Sequence, residues 1–239
     1  MKENIITGIS VRFWGRRAMF TDPVTKIGGE KCSYHLPTYE AIKGMLDSIY
    51  WKPTFTWVVD SVRVMNPITT EVMSVKLKKF NKNESDLYYY TYLRDVEYQV
   101  KAHIEWNMQR PDLAQDRNYR KHYEIANRYI KLGGKLPVYL GTSDCDCYVE
   151  PCEFGRGEGF YDNTPELSYG IMYHGIDYPS QTGTGEMYVR LAPVTMTQGI
   201  VNFMRPEECK RRYVRKMPVI QVESQGVEEE DKYFRGCSR

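Results

Sequence analysis

The most regular hydrophobic pattern in the chain lies in DVEYQVKAHIEW, residues 95–106, where apolar and polar residues alternate. A period of two places alternate side chains on one face of a β-strand, and here that face is apolar throughout. The residues that share it are Val96, Tyr98, Val100, Ala102, Ile104 and Trp106. Two further segments, IITGISVRFW (residues 5–14) and FTWVVDSVRVM (residues 55–65), have the β-branched and aromatic character of strands. We therefore predict three strands in this part of the chain.

A helical pattern appears first in TYEAIKGMLDSIYW, residues 38–51. Ile42, Met45, Leu46 and Ile49 recur at the spacing of one helix face. Thr38 is a suitable N-terminal cap, and the helix should end before Lys52-Pro53, because the residue before a proline avoids the helical conformation.

A second helix is predicted from apolar positions spaced by four, three and four residues, namely Tyr119, Tyr123, Ala126 and Ile130. Gly133 follows as a left-handed stop, and either Asp116 or Asn118 is placed to cap the start. KLPVYLGT, residues 135–142, then predicts another strand.

The predicted order is strand, helix, strand, strand, helix, strand. This order predicts an α+β protein whose residues 1–150 form a ferredoxin-like βαββαβ domain, the arrangement that RNA recognition modules share. Residues 151–239 predict a β-rich extension with a basic segment and an acidic tail. Its predicted strands are LSYGIMYHGIDYP (167–179), EMYVRLAPVTM (186–196) and MPVIQVE (217–223), and the tail contains VEEED (227–231).

Positive charge is clustered although the net charge is only +2. The clusters are Arg12, Arg16 and Arg17; Lys76, Lys78 and Lys79; Arg117, Arg120 and Lys121; and KRRYVRK, residues 210–216. The chain also contains 20 tyrosines, and basic surfaces interleaved with aromatic rings are typical of proteins that bind single-stranded nucleic acid. The alternative is that most of these tyrosines are packing residues.

Cellular location and cofactors are constrained by what the sequence does not contain. No apolar run approaches the roughly 18 residues of a membrane span, and the first residues lack a secretion signal, so we expect a cytoplasmic protein without a membrane partner. The six cysteines are expected to be reduced thiols. CDCYVEPC, residues 145–152, lacks the paired spacing of a zinc site, so we predict neither a metal nor another cofactor.

Several long segments, in order, resemble one known family. GISVRFWG (8–15), FTDPVTKIGGEK (20–31), SYHLPTYEAIKGMLDSIYWKP (33–53) and RKHYEIANRYIKLGGKLPVYLGTSDC (120–145) are similar to the CRISPR-associated Cas protein of family five, Dvulg subtype. That family is the pre-crRNA endoribonuclease of type I-C systems.

The resemblance implies a metal-independent enzyme that cleaves CRISPR repeat RNA. It also implies that the product's 5′ handle is retained by a subunit of the Cascade complex, alongside the backbone and large subunits, and it leaves contact with target DNA open. Carried over by motif, the cleavage site comprises Tyr50, Lys121 and His122. Expected RNA-binding residues are Arg12, Arg16, Arg17, Lys26, Lys31, Arg117 and Arg120.

The chemistry of RNA cleavage is compatible with these three residues. RNA supplies its own nucleophile, the 2′-hydroxyl, so a protein needs only a base, positive charge near the phosphate and a proton for the leaving 5′-oxygen. His122 has an ordinary pKa of about 6.5, and cationic neighbours should keep it neutral, whereas bound phosphate would favour its charged form. Its role as base or acid therefore stays open. Tyr50, with an ordinary pKa of about 10, is better suited to positioning the hydroxyl.

Alternatives at each residue are structural. His122 fits an unremarkable exposed helical histidine, Tyr50 the last core contact of the first helix, and Lys121 a solvated charge. At the level of the whole protein, the alternative is an RNA-binding scaffold subunit that does not cleave.

Overall fold

The computed structural model describes residues 8–25, 29–78 and 84–217. The described strands are β1 (Gly8–Ala18), β2 (Phe55–Val64), β3 (Thr69–Lys78), β4 (Ser85–Trp106), β5 (Tyr148–Pro151), β6 (Leu167–Asp177), β7 (Glu186–Thr197), β8 (Ile200–Asn202) and β9 (Lys210–Lys216). The helices are α1 (Tyr39–Ile49), α2 (Tyr119–Lys131) and the short α3 (Pro179–Thr182), with a 3₁₀ turn at Pro111–Asp116. The predicted α+β class is confirmed.

All these strands belong to one sheet, in which neighbouring strands are antiparallel. The order is β5-β1-β4-β2-β8-β7-β6, with β3 paired to β4 and β9 paired to β7. The two halves of the chain therefore meet where β8 pairs with β2. No helix in the described part of the chain is long and apolar enough to cross a membrane.

The core lies between the sheet and the two longer helices. Val100 of β4 is paired with Val11 of β1 on one side and with Val62 of β2 on the other, and all three are fully buried. Helix α1 covers this sheet with the apolar face that the spacing predicts, including Leu46 and Ile49. Burying such a side chain contributes about 1.5–3 kcal/mol, so this interface holds α1 against the sheet.

The strand predicted at residues 135–142 is wrong. Val138 and Leu140 are buried as a strand pattern predicts, but only an isolated bridge, between Tyr139 and Asp146, forms there. Gly141 has a φ of 97°, and a Cβ at this position would collide with the carbonyl oxygen of Met19. The chain therefore turns within this segment, and the edge strand is β5 instead.

Residues 69–94 are a second departure from the sequence analysis, which predicted no strand before residue 95 in this region. The structure pairs β3 with the first half of β4 in a hairpin. Most of β3 is exposed, so alternation of apolar and polar residues is weak there and the strand gives little signal.

Three expectations fall outside the described residues. These are Lys26, the strand at 217–223 from residue 218 onward, and the acidic VEEED segment.

A buried polar network joins α1 to the second half of the chain. The Arg190 guanidinium pairs with Asp177 and lies 3.3 Å from Glu40 of α1. Gly175 allows this approach, because a Cβ there would collide with both Glu40 and Arg190. The His174 ring donates from Nε2 to the Met204 carbonyl (2.9 Å) and accepts at Nδ1 from Arg190 Nε (3.3 Å).

This geometry predicts a loss of stability below neutral pH. Burial lowers the pKa of His174 to about 4, and the Arg190 charge acts in the same direction. Between pH 6.5 and 4 the unfolded chain binds a proton that the folded protein excludes, so stability falls as pH falls and His174 contributes roughly 3 kcal/mol to that fall. Urea unfolding across this range should show it. His174→Gln, which keeps a donor and an acceptor without titrating, should reduce the slope, and an unchanged slope would assign the effect to other groups.

Candidate active site

Tyr50 is fixed at the point where α1 gives way to the turn before β2. Its backbone N–H donates to the Leu46 carbonyl (3.0 Å), and its own carbonyl accepts from the Trp57 indole N–H (2.8 Å). The residue is an extended C-terminal cap, so its side chain leaves the helix axis and points toward the start of α2. Tyr50 is almost fully buried.

Helix α2 begins at Asn118, which settles the choice between the two predicted caps. The Asn118 side chain accepts a hydrogen bond from the Lys121 backbone N–H (3.1 Å). Lys121 and His122 therefore both lie in or beside the first turn of α2. Consecutive helical residues point in different directions, and accordingly Lys121 is exposed whereas His122 is buried.

The hydrogen bonds of His122 define its tautomer. Nε2 lies 2.8 Å from the backbone carbonyl of Asp116, and because a carbonyl only accepts, Nε2 must carry the hydrogen. Nδ1 of the neutral ring is then an acceptor, and the Tyr50 hydroxyl donates to it across 2.8 Å. The structure thus joins two of the three predicted catalytic residues directly.

The alternative of an exposed helical histidine is excluded, since the His122 side chain is 0% exposed. Aromatic rings surround it, with ring centroids of Phe55, Trp106 and Tyr50 at 5.2, 5.7 and 5.9 Å. Burial lowers the pKa of His122, assisted by the charges of Lys121 and Lys52 and opposed by Asp116. The predicted direction is therefore confirmed, although burial and not the neighbouring cations is the main cause.

Asp116 connects the third predicted residue to this pair. One carboxylate oxygen accepts from Lys121 Nζ (2.6 Å), and the other accepts from the Thr54 hydroxyl (2.8 Å) and lies 3.5 Å from His122 Nε2. Burial acts to raise the pKa of Asp116, but the hydrogen bonds from Lys121 and Thr54 outweigh it, so the pKa is lowered. The result is an ionised carboxylate behind a neutral imidazole.

Asp116 is the residue that the sequence analysis missed as a functional candidate, having treated it only as a possible helix cap. The sequence did contain one indication of this role, because Asp116 is an acidic residue six positions before the candidate catalytic His122. A carboxylate behind a histidine is a recurrent arrangement for holding its tautomer and stabilising its charged form. Phe55 and Trp106, which enclose the imidazole ring, were predicted only as strand residues and not as part of the site.

The predicted RNA-binding cations are distributed over the molecule. Arg12 forms a two-point ion pair with Glu97 and lies over the Trp14 ring, while Arg17 pairs with Glu71. Lys31 lies over the Tyr90 ring, and Arg16 is exposed on β1.

Two predicted RNA-binding cations lie next to the site. Arg117 donates to the carbonyls of Asn107 and Arg110 and so holds the connection between β4 and α2. Arg120, on the first turn of α2, is highly exposed and pairs with Glu124. Among the expected cations described, these two are therefore the closest along the chain to His122.

Within the described residues, no group of three or more His, Cys, Asp and Glu side chains is arranged to hold a metal ion. Burial raises the pKa of the Cys145 and Cys152 thiols to about 11 and that of Cys147 to about 12, so these cysteines are protonated.

The fold is similar to that of a solved structure described as a CRISPR-associated protein. That likeness has a TM-score of 0.71 at 33% identity and covers 85% of this chain and 94% of the other. The family model of Cas5d, described as CRISPR-associated protein (Cas5), matches residues 8–204. The chain therefore belongs to the Cas5d family, which confirms the resemblance seen in the sequence.

Two relatives carry a functional name. A protein from Mannheimia succiniciproducens called CRISPR pre-crRNA endoribonuclease Cas5d is 29% identical, and the match covers 71% of this chain and 85% of that protein. A protein of the same name from Thermus thermophilus is 28% identical, over 60% of this chain and 63% of its own length.

Proposed function

We propose that this protein is an endoribonuclease that cleaves CRISPR repeat RNA and then holds the 5′ handle of the product as a Cascade subunit. The single observation that carries the catalytic part is the hydrogen bond from the Tyr50 hydroxyl to Nδ1 of a neutral His122. Such an imidazole has a basic nitrogen directed at a group that can hand it a proton. The names of the two relatives support the substrate.

The proposed reaction is attack of a ribose 2′-hydroxyl on the adjacent phosphorus. The 2′-oxygen forms a bond to phosphorus as the bond to the 5′-oxygen breaks, which gives a 2′,3′-cyclic phosphate and a 5′-hydroxyl. His122 is the base, taking the 2′ proton at Nδ1 either directly or through the Tyr50 hydroxyl. Tyr50 positions the attacking oxygen, and the leaving 5′-oxygen takes a proton from water.

Charge around the imidazole suits this role. Protonation at Nδ1 creates an imidazolium, and the Asp116 carboxylate 3.5 Å from Nε2 stabilises it. Lys121 Nζ lies on the outer side of that carboxylate, in an exposed position from which its charge can face a phosphate. His122 therefore supplies the base, Asp116 the counter-charge and Lys121 the cation, and none of these roles requires a change in the structure of α2.

Because the imidazole is enclosed, RNA must displace part of its surroundings. The segment most suited to move is the connection between Trp106 and Tyr119. It contains Asp116, and the rings of Trp106 and Tyr119 at its two ends lie 4.3 Å apart, measured between centroids. Outside its 3₁₀ turn it has no regular structure, and Arg117 holds it through two backbone carbonyls. We propose that RNA contact with Arg117 and Arg120 moves the part of this connection that precedes Asp116 and opens a path to the Tyr50–His122 pair, while the Asp116 carbonyl stays on Nε2.

The processing unit is proposed to be residues 1–150, an elaborated ferredoxin-like domain, with residues 151–239 as its β-rich extension. Its support is the strand order β5-β1-β4-β2 with α1 and α2 as the two crossovers. The β3 hairpin is an addition to that plan. Arg12, Arg16, Arg17 and Lys31 remain proposed contacts to RNA outside the cleavage site.

A second candidate function is a crRNA-binding scaffold that does not cleave. The observation that favours it is the complete burial of His122 with both ring nitrogens hydrogen-bonded, which is also how a purely structural histidine is satisfied.

The two functions separate in one assay. Purified protein is incubated with repeat RNA in excess chelator, beside the same RNA carrying a 2′-deoxy residue at the scissile nucleotide. We expect the first RNA to be cleaved to a 2′,3′-cyclic phosphate and the second to bind and remain intact. Two intact RNAs, both bound, would establish the scaffold. Cleavage of the deoxy RNA would exclude 2′-hydroxyl attack.

A further inference from the structure

Strand β9 is the most strongly charged element described. Its seven residues are all exposed, and five of them are cationic: Lys210, Arg211, Arg212, Arg215 and Lys216. It pairs with β7 along a single edge and has no second strand neighbour within the described residues. It also lies beyond residues 8–204, so the family match does not assign it a role.

One cation of β9 anchors the strand, which determines where its neighbours point. Arg211 Nε donates to Asp177 (2.8 Å), the same carboxylate that holds the buried Arg190. Successive strand residues point to opposite faces, so Lys210 and Arg212 face away from that network.

The Arg211–Asp177 pair is the one salt bridge that β9 makes to the described part of the chain. Within the described residues, the other four cations of β9 form no salt bridge, so their charges repel each other. Charged side chains on an edge strand prevent pairing with another sheet. Five cations in a strand of seven residues are more than this protection requires.

An aromatic residue accompanies the charges. Tyr213 is 55% exposed, and its ring meets that of Tyr188 edge-on, with centroids 5.8 Å apart. This contact supports one side of the Tyr213 ring and leaves much of the side chain in solvent. Unpaired bases can stack on such a ring, whereas the bases of a duplex are already stacked on one another.

We propose that β9 binds the backbone of single-stranded CRISPR RNA outside the cleavage site, with Arg212, Arg215 and Lys216 on phosphates and Tyr213 stacked on a base. The inference rests on the proposed RNA function and deepens it. A register shift beside Tyr188 places Arg215 and Arg212 opposite Met187 and Val189, which lie two residues and about 6.8 Å apart on β7, so these two cations share one face. Tyr213 and Lys216 lie on the other face of the same strand, and RNA that follows its unpaired edge can contact both faces.

The test measures affinity as a function of salt, using fluorescent repeat RNA that carries the 2′-deoxy substitution. Each phosphate contact to single-stranded nucleic acid contributes about 0.7 to the slope of log affinity against log salt, so Arg212→Gln/Arg215→Gln/Lys216→Gln should reduce that slope by about 2. Lys101→Gln/Arg128→Gln/Lys131→Gln removes three exposed cations elsewhere and should leave it unchanged. Tyr213→Ala should weaken binding at an unchanged slope.

The outcomes distinguish this inference from the function on which it rests. If the unaltered protein does not bind repeat RNA, the proposed function fails. If it binds and the β9 variant retains the full slope, or the control variant loses as much, the role of β9 is overturned. If the β9 variant shows a reduced salt slope with duplex DNA but not with repeat RNA, the strand binds DNA and not RNA. Arg212→Lys/Arg215→Lys keeps the charges and should preserve the slope.

Discussion

We expect His122→Asn to reduce repeat-RNA cleavage by a factor of about 10²–10⁴, the usual contribution of a positioned general base, with little change in RNA affinity. Asparagine keeps an acceptor near the Tyr50 hydroxyl but cannot take up the proton. His122→Ala should lose as much activity and also about 2–4 kcal/mol of stability, because it leaves a cavity and two unpartnered buried groups. Single-turnover cleavage, RNA binding and thermal melting would be measured together.

The pH dependence adds a readout that a structural role would not move. A base acts in its neutral form, and burial lowers the pKa of His122 below its ordinary value, so cleavage should persist as pH falls past 6.5 and decline only at lower pH. His35→Asn, at an exposed histidine, is the matched control and should behave as wild type. Full activity in folded His122→Asn would remove this residue as the base and favour the scaffold or another base.

Local signals predicted the elements that carry this site. The period-two pattern of β4, the Thr38 cap of α1 and the Asn118 cap of α2 are set by interactions within a few residues, so they could be found without a structure. The same locality explains the hairpin that was missed. The alternating apolar pattern that reveals a half-buried strand is weak in the exposed β3, which is held by backbone pairing to β4.

The residues of the candidate site were named through the family resemblance, but their arrangement could not be predicted from the sequence. Tyr50 and His122 are 72 residues apart, and their hydrogen bond depends on how α1 and α2 both pack on the sheet. Burial of the imidazole depends on Phe55 and Trp106, which belong to the paired ends of β2 and β4. The spacing of residues along a helix cannot predict that rings from two strands surround the imidazole. It is the long-range packing, and not the basic sequence around His122, that chiefly lowers the pKa of this residue.

A second large effect is expected far from this site, where Asp177→Ala should destabilise the fold by about 3–5 kcal/mol. The Asp177 and Arg190 side chains are 8% and 7% exposed, so removing the carboxylate leaves a buried guanidinium with only the longer contacts to Glu40 and His174. Arg211 would lose its carboxylate partner as well, so β9 would be held mainly by its backbone pairing with β7. Urea unfolding should show a lower midpoint with an unchanged dependence on denaturant.

The control for Asp177→Ala is Asp112→Ala, which breaks a much more exposed pair with Arg110 and should leave the urea midpoint close to that of the unaltered protein. The penalty arises from an uncompensated buried charge, so removing both charges should recover much of it. Asp177→Leu/Arg190→Met fills similar space without leaving an ion in the core, and we expect it to be more stable than Asp177→Ala. If the double variant is no better, the loss comes from hydrogen bonds to His174 and the β9 anchor, and not from the buried charge.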